Sequence, residues 1–541
     1  MKRYRKANEG VHAPGEVKKR ATKADRPHHR ARWMGAVAAV LAVALIGGVA
    51  AWSGRGAWVD GKPYDGPTVD GFVPEDSPSN DPNQGIAPPA YGGGSHHAHA
   101  LAQAVYQLPE TETPPMPNFG DFHSDGETEE EFQQAEDAWS EALEAWQKIA
   151  HATKYKLEEN DTIDGFITAS TTQFLTGAGE KNRVYSPLNL YMALAMLAET
   201  AGGDSRQQIL DALGADSIEA LREDAAAVWQ NYYEDDDMGI SVMANSLWLR
   251  DDMTYDQNTL DTLAEKYYAS SFAGEMGSAE YDAALRDWVN EQTREMLTEQ
   301  VDDLFFDPAT VLGLTSTLYF KAAWSDPFSP EGNTRDVLHA PSGDVETEFM
   351  HREIWYGNYY WGEHFSALSL GFQSSMNSEM WLILPDEGYT VDELVESGEA
   401  MEFLLWNKTG VFDYKRGEYV GAWPNQTGVR INLSLPKFDV SSDLQLKDGL
   451  KALGITDVFS PSTADFTPLG AEDAYVTGAE HAARVMIDEE GCTAASYVNL
   501  MLCGAAPPPD EIVDFTLDRP FLFAITGTGD LPLFLGVVNQ P

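Results

Sequence analysis

Near the C-terminus, residues 485–521 contain a segment that could adopt two backbone states. Two acids and a glycine, Glu489, Glu490 and Gly491, lead into a run of small or alternating residues that stops at the prolines 507–509. Three prolines end regular structure, so the run is either a strand or an exposed loop. Alternate positions from residue 492 to residue 502 are small at first and apolar later, without charge, Pro or Gly. As a strand in a sheet, the run would bury that face.

Both cysteines of the chain, Cys492 and Cys503, lie in this run. Two cysteines exclude a disulfide-dense scaffold. One interpretation treats them as small apolar residues that carry thiols. The other is a redox latch, in which a bridge within the run would pinch it and prevent it from becoming a strand.

Short motifs follow one another in a fixed order over roughly residues 155–541. They are Ser186–Leu188 (SPL), Met192–Leu197 (MALAML), Gly202–Leu213 (GGDSRQQILDAL), Ala244–Trp248 (ANSLW), Trp288–Thr293 (WVNEQT), Leu318–Trp324 (LYFKAAW), Leu435–Phe438 (LPKF), Gly454–Ser460 (GITDVFS), Asp518–Phe523 (DRPFLF) and Leu535–Val538 (LGVV). With the acidic-acidic-glycine hinge, they resemble the motifs of the serpin family. The collinear set is specific, whereas any one motif alone would be weak.

The resemblance implies an α+β serpin fold with about nine helices, three β-sheets, a large central sheet A and an exposed reactive-centre loop. The residue pattern agrees: it predicts an opening helix over 164–176 and strands over 311–320 and 380–384, with helices mainly before residue 300. The implied function is serine-type endopeptidase inhibition by a suicide substrate. A protease would cleave the loop and form an acyl-enzyme, and the freed loop would insert into sheet A. The alternative is a noninhibitory serpin-fold protein for surface binding or ligand carriage.

The resemblance also implies where the loop works. The hinge consists of Glu489, Glu490, Gly491, Cys492, Thr493, Ala494, Ala495 and Ser496. Family spacing from Gly491 places the cleaved bond between Ala505 and Ala506, with Cys503–Gly504 as the alternative. No Arg or Lys lies near, which disfavours trypsin-like proteases and indicates elastase-like or subtilisin-like enzymes. Cysteine proteases are the main other target class.

Other residues match the family's conformational switch. Ser186 and His481 fall at the shutter, a polar cluster under the point where the sheet parts. Ser316 and Asn189 stand where the family more often has Asn and Ser, which alters the expected network. Trp324 matches the breach, where insertion begins, and Lys437 with Glu489 matches an ion pair there. The expected role of that pair is to hold the hinge until cleavage.

Enzyme motifs are absent from the sequence: there is no GxSxG, HExxH, P-loop or dinucleotide fingerprint. We therefore predict a protein that is not an enzyme, with no catalytic residues, metal or cofactor. The histidines at 96, 97 and 99 are interpreted as a solvated linker cluster, because no further ligand lies at metal-site spacing.

The charge is strongly acidic, with a net value of -50. Residues 1–33 hold 11 basic and 3 acidic residues, so the rest of the chain carries about -58. Such a field disfavours nucleic acid and other polyanions. Residues 218–237 contain Arg222 as their only base, so we do not expect polyanion activation. The expected state is a monomer that forms a covalent acyl complex with a serine protease.

The N-terminal part divides by composition. Residues 1–33 read as a basic cytoplasmic leader, and residues 34–52 as an uncharged transmembrane signal anchor or signal peptide. Residues 53–126 read as a disordered Gly/Pro/acidic linker, 127–155 as an added helix, and 156–541 as the serpin domain. The implied location is the extracellular face of the cell membrane of a bacterial-type cell, or secretion if cleavage occurs near Ala51.

Overall fold

The computed structural model describes residues 58–59, 62–63, 98–104, 161–235, 239–301, 304–406, 411–413, 418–420, 422–472, 474–492, 509, 511–527 and 530–541, with isolated positions between 134 and 142. Residues 98–104 and those from 161 onward belong to one compact unit. The positions at 58–63 and 134–142 belong to another.

Helices come mainly before residue 301 and strands after it, as predicted. The helices are α1 (Asp161–Leu175), α2 (Pro187–Thr200), α3 (Gly203–Leu213), α4 (Ile218–Tyr232), α5 (Gln257–Lys266), α6 (Ala279–Gln292), α7 (Thr298–Val301), α8 (Val391–Glu396), α9 (Glu399–Leu404) and α10 (Lys447–Ala452). The strands are β1 (Trp58–Val59), β2 (Lys62–Pro63), β3 (His99–Ala102), β4 (Arg183–Tyr185), β5 (Glu234–Asp235), β6 (Gly239–Arg250), β7 (Ala269–Gly274), β8 (Leu312–Ala323), β9 (Thr334–Ala340), β10 (Gly343–Trp361), β11 (Phe365–Gly371), β12 (Glu379–Pro385), β13 (Val411–Asp413), β14 (Glu418–Val420), β15 (Gln426–Pro436), β16 (Phe438–Gln445), β17 (Glu480–Ile487), β18 (Gly491–Cys492), β19 (Ile512–Thr516), β20 (Phe521–Thr526) and β21 (Pro532–Val538). The α+β class is confirmed, and α1, β8 and β12 confirm the predicted helix and strands.

Helix α2 is the buried centre of the domain. Ser186 caps its start by accepting a hydrogen bond from the Asn189 amide, and Pro187 supplies a preset φ at the first turn. Every residue of α2 except Ala193 is buried. A helix that is apolar on nearly all sides needs covering on all sides, and α2 packs against β8 of one sheet and β21 of the other.

Within the described residues, eight strands form the large sheet, which we call sheet A. Their order is β16-β17-β18-β8-β6-β7-β3, and β5 pairs with β6. Strands β6 and β8 pair antiparallel from Gly239 with Ala322 to Leu249 with Leu312. Strands β16 and β17 pair antiparallel from Phe438 with Ile487 to Gln445 with Glu480. The two-residue strand β18 therefore joins two long antiparallel ladders.

The second large sheet, as far as it is described, has nine strands in two parts that share β10. One part contains β9, β15 and β19, and the other contains β11, β12, β20, β21 and β4. Together with sheet A, these parts correspond to the three predicted sheets. A register shift in β10 between Ile354 and Gly357 marks a bulge near the junction, which bends the strand.

Strand β3 lies at the far edge of sheet A, inside the range predicted as linker. It pairs antiparallel with β7, from His99 with Ala273 to Ala102 with Ser271. The Ala104 amide donates to Ser270 Oγ at 3.2 Å, and Ala104 is buried. A strand of four residues is too short to show a periodic pattern in the sequence. It is stabilised by pairing with its neighbour β7 more than by the strand preference of its own residues.

Several N-terminal predictions lie outside the described residues, including the whole of the predicted membrane segment, 34–52. In the part of the chain that the structure does describe, no helix is long and apolar enough to cross a membrane. The described positions between 134 and 142 are helical, within the range predicted as an added helix.

Candidate functional site

The hinge enters sheet A as strand β18. Cys492 pairs with Ile487 of β17 on one side and with Ala322 of β8 on the other, and Gly491 pairs with Ala323. Because one strand lies between them, β8 and β17 are about 9.6 Å apart at this point. No ladder joins β8 directly to β17 among the described strands. The hinge residues Gly491 and Cys492 therefore occupy the place of a central strand.

A tight turn brings the chain from β17 into β18. The Asp488 amide donates to the Gly491 carbonyl at 3.1 Å. Asp488 Oδ1 accepts from the amides of Glu490 at 2.9 Å and Gly491 at 3.2 Å. Gly491 has φ of +153°, and a Cβ there would lie 2.3 Å from the Ala322 carbonyl oxygen. Only glycine fits, because both the dihedral and the close approach exclude a side chain.

A Gly491→Ala substitution should expel the hinge from the sheet. The added methyl collides with backbone atoms of β8, which cannot rotate away, so we expect a loss of about 1–3 kcal/mol in the free energy of unfolding. Thermal unfolding and amide hydrogen exchange measure the effect. The Trp324 amide, which donates to the Glu490 carbonyl at 2.8 Å, should exchange faster.

Gly343→Ala is the matched control for that substitution. Gly343 also has positive φ, +122°, but a Cβ there meets nothing within 4 Å. It therefore tests dihedral strain without the collision. Unchanged protection of the Trp324 amide in the Gly491 variant would contradict the proposed close fit.

Trp324, the residue predicted for the breach, lies against the turn that leads into β18. Its side chain is fully buried and stacks on Phe372 with ring centroids 4.5 Å apart and planes at 9°. Its Nε1 donates to the Asp488 carbonyl at 2.9 Å. The Phe328 amide adds a hydrogen bond to the Glu489 carbonyl at 3.0 Å. The hinge turn is therefore fixed to β8 and to the segment that follows β8 by backbone and indole hydrogen bonds.

The predicted ion pair is present beside this turn. Lys437 Nζ lies 2.7 Å from Glu489 Oε1 and 3.0 Å from Glu348 Oε1. Asn333 Nδ2 donates to Glu489 Oε1 and, at 2.6 Å, to Glu348 Oε1. The sequence did not indicate that Glu348 or Asn333 would join this ion pair. Glu348 lies in β10 and Asn333 directly precedes β9, so both are far from the hinge along the chain.

The ion pair shifts the pKa values of its members. Partial burial opposes the charge of Glu489, but the hydrogen bonds from Lys437 and Asn333 outweigh it, so the pKa of Glu489 lies below its usual value. Partial burial likewise opposes the charge of Lys437. Its contacts with Glu489 and Glu348 outweigh that effect, so the pKa of Lys437 lies above its usual value. Both groups are therefore charged at neutral pH, as a charge-assisted contact requires.

A buried polar cluster lies below β18, between α2 and the strands of sheet A. The Ser186 amide donates to His481 Nε2 at 3.0 Å. Ser316 Oγ contacts Asn189 Oδ1 and lies 2.7 Å from Asn245 Oδ1. Asn189 Nδ2 donates to the Ser316 carbonyl at 3.1 Å and thereby joins α2 to β8. The structure thus brings together the four residues predicted for the shutter and adds Asn245.

His481 is neutral in this cluster. Burial lowers its pKa to about 4. Because Nε2 accepts a hydrogen bond from the Ser186 amide, the ring carries its proton on Nδ1. A charged ring would turn an N–H towards another N–H, so protonation and this hydrogen bond exclude each other.

A cavity of about 20 Å³ lies in the gap beneath Cys492. It is lined by Ser186, Asn189, Thr293, Met296, Leu297, Leu318, Tyr319, Phe320, His481, Ala482, Ala483, Arg484, Val485, Cys492 and Phe534. Cys492 is 3% exposed and belongs to the main apolar core. Its burial agrees with the interpretation of this cysteine as a small apolar residue.

The remaining hinge and loop residues lie outside the described residues. These are Thr493, Ala494, Ala495 and Ser496, the bond between Ala505 and Ala506, and Cys503 with Gly504. Glu490 is described and exposed. Among the described residues, no group of three or more His, Cys, Asp or Glu side chains is arranged to hold a metal ion.

Comparison with known proteins points in one direction. A family model described as Serpin (serine protease inhibitor) matches residues 165–541. Plasminogen activator inhibitor 1 of Bos taurus is 28% identical over 387 residues, which cover 68% of this chain and 89% of that protein.

Solved structures give the same fold. Tengpin, a thermophilic serpin in its native state, matches with a TM-score of 0.60 and 24% identity, over 70% of this chain and 93% of Tengpin. Human thyroxine-binding globulin matches with a TM-score of 0.58 and 21% identity, over 72% of this chain and 99% of that one. At these identities the structures establish the fold alone.

Proposed function

Because this chain belongs to the serpin family, we propose that it inhibits serine-type endopeptidases as a suicide substrate. The observation that carries the proposal is strand β18. Its two residues already pair with β8 and β17, and the chain beyond them needs only to continue in the same direction to complete a central strand. Because the start of the loop is already held between these two strands, insertion does not require the loop to find its place in the sheet first.

The chemistry begins as ordinary proteolysis. The protease serine attacks the carbonyl carbon of the bond between Ala505 and Ala506, the new ester forms, and the amine of Ala506 leaves with the proton supplied by the protease histidine. The acyl group stays joined through Ala505 to the hinge. Insertion of residues 493–505 below β18 then carries the esterified protease away from its docking position before water attacks the ester.

Cys492, the hinge residue that carries a side chain in strand β18, suits this step. Cys492 is small, uncharged and buried between β8 and β17. Charge or bulk at an inward position would slow insertion, because the side chain must leave water as the strand forms. Ion pairing of Glu489 with Lys437 would delay insertion until cleavage frees the loop.

Small residues at the proposed bond favour elastase-like or subtilisin-like proteases. No Arg or Lys lies near Ala505, so the loop offers no basic side chain to a protease whose specificity pocket contains an acidic residue. A shallow, uncharged pocket accepts alanine, and both enzyme classes provide one.

A noninhibitory carrier or surface-binding role is the second candidate. The similarity of fold to thyroxine-binding globulin, whose name gives it a ligand rather than a protease, supports this alternative. Against it stands the small inward residue Cys492, since a charged or bulky side chain there would disable insertion.

We place the protein outside the cytoplasm. The uncharged stretch 34–52 follows a basic leader, which supports retention on the extracellular face of the membrane or secretion after cleavage near Ala51. Export would bring the loop to extracellular proteases.

Incubation of the full chain with pancreatic-type elastase tests the proposed function. We expect a covalent complex that resists denaturant on a gel, and a rise in the melting temperature of chain that has been cleaved without capture. Elastase with a blocked catalytic serine should give neither. Simple cleavage with no complex and no rise in melting temperature would remove the inhibitor proposal in favour of the carrier.

A further inference from the structure

An exposed aromatic surface lies on the nine-stranded sheet beside the strand to which the reactive loop returns. Trp355, Tyr356 and Ile512 are 60%, 67% and 52% exposed, and they are three of the four most exposed large apolar side chains in the described part of the chain. With Gly428 and Arg430 they form a continuous patch, which we call the aromatic platform. Apolar side chains that cluster on a surface indicate a contact site more strongly than scattered ones.

Backbone geometry builds the platform. Trp355 and Tyr356 are consecutive in β10, yet both are exposed, because the bulge between Ile354 and Gly357 interrupts the alternation of faces. A Cβ on Gly428 would lie 2.8 Å from Tyr356 Oη, so the glycine leaves room for this ring.

Arg430 holds the platform together. Its guanidinium carbon lies 4.8 Å from the centre of the Trp355 ring, and its Nη2 contacts Glu353. Arg430 pairs with Ile512 across β15 and β19, so both side chains project from the same face. The Trp355 ring and the Ile512 side chain therefore flank an arginine whose charge is neutralised.

The platform lies within reach of any protease bound to the loop. Five residues lie between Ala506 and Ile512, and the six Cα-to-Cα steps span at most about 21 Å. Three of the intervening residues are prolines, which favour an extended conformation. A protease–inhibitor contact covers about 800 Å² per partner, a disc about 16 Å in radius, and a protease domain has a radius of about 20 Å. Because about 21 Å is the upper limit of the span, a protease of this radius centred on the cleaved bond can reach the platform.

We propose that the aromatic platform is an accessory docking surface for the protease that cleaves the reactive loop, contacting an apolar patch beside the primed side of its active-site cleft. The proposal rests on the proposed function. Trp, Tyr and Arg are the residue types that most often dominate binding energy at protein interfaces. Their concentration beside the anchor of the loop favours the loop's protease as the occupant over a second copy of the chain.

The platform acts only before cleavage. It is joined to the primed side of the loop through Ile512 of β19, whereas the acyl-enzyme is joined to the unprimed side through Ala505. Insertion carries the protease away with the unprimed side. The platform therefore increases the rate at which intact loop is cut and leaves unchanged the fraction of cut loop that ends as covalent complex.

The test is the rate constant for loss of intact chain at limiting elastase-like or subtilisin-like protease, counting covalent complex and simple cleavage product together. The Trp355→Ala/Tyr356→Ala double variant should lose about tenfold to hundredfold in this rate constant. The ratio of complex to cleaved product should stay at its wild-type value. A Trp355→Phe/Tyr356→Phe variant, which keeps apolar area, should recover most of the rate.

Tyr475→Ala is the matched control, because Tyr475 is 44% exposed and lies outside the strands, between β16 and β17. An equal loss of the rate constant in this control, or a wild-type rate constant in the double variant, would contradict the platform proposal. Cleavage without complex in the wild-type chain overturns the inhibitor proposal, yet the cleavage rate still tests the platform. If none of these proteases cuts the loop, both proposals fall.

Discussion

A Cys492→Arg variant should be cut by its target protease at close to the wild-type rate but should trap almost none of it. Cys492 is 3% exposed between β8 and β17 and lines the cavity beneath the hinge. An arginine there must either leave water without a partner or keep the hinge out of the sheet. An unpaired buried charge costs several kcal/mol, so the inserted state loses much of its advantage.

Insertion of the loop competes with deacylation of the ester, so the yield of trapped protease is sensitive to the Cys492→Arg substitution. Each 1.4 kcal/mol added to the insertion barrier slows insertion about tenfold. A penalty of about 3 kcal/mol slows it by more than a hundredfold, so water would reach the ester first. We therefore expect the yield of covalent complex to fall below about a tenth of its wild-type value, with cleaved chain as the main product.

Cys492→Ser is the matched control for the arginine variant. The hydroxyl is close to the thiol in size and carries no charge, so most trapping should remain. The measurement is the ratio of denaturant-resistant complex to cleaved chain on a gel, together with the rate of loop cleavage. Complex formation by the arginine variant at the wild-type yield would contradict the insertion mechanism.

The candidate site was predicted from sequence only because many motifs occur in family order. His481 and Ser186 are 295 positions apart, and the hydrogen bond between them follows from sheet A packing on α2. Neither residue type nor spacing could have paired them. The resemblance supplied the pairing, and the structure supplied the distances and burial.

The parts that the sequence missed are tertiary contacts without a local signal. Glu348 and Asn333 join the Lys437 ion pair because β10 passes beside the hinge, and acidic residues are too common in this chain to single one out. Strand β3 is short and is held by β7. The aromatic platform depends on a bulge, which shifts register in a way that alternation cannot predict.

Acidification from pH 6.5 towards pH 4 should weaken the folded state through His481. Its pKa is about 4 in the folded chain, because burial excludes the charged ring, and about 6.5 when the chain is unfolded. Between these values the unfolded chain binds a proton that the folded chain does not. Stability from this group is therefore undiminished above about pH 6.5 and is lost as the pH falls, with a limiting slope of about 1.4 kcal/mol per pH unit.

Other groups have different windows or opposite signs. Glu489 has a lowered pKa, so its contribution is present above its unfolded value and disappears only as the pH falls through its folded value. The pKa of the exposed His339 is raised, first by its hydrogen bond with Asp344, so its small contribution grows as the pH falls through this range. Between pH 5 and pH 6.5, His481 should therefore set the slope.

A His481→Gln variant isolates this effect. Glutamine can still accept the hydrogen bond from the Ser186 amide through its side-chain oxygen but does not titrate. The difference in urea midpoint between pH 7 and pH 5 should be large in the wild-type chain, equivalent to about 2 kcal/mol, and much smaller in the variant. His339→Gln, the control, should keep the wild-type slope. If His481→Gln keeps the wild-type slope too, His481 is not the group that titrates, and the buried polar cluster around it does not couple the stability of the fold to pH.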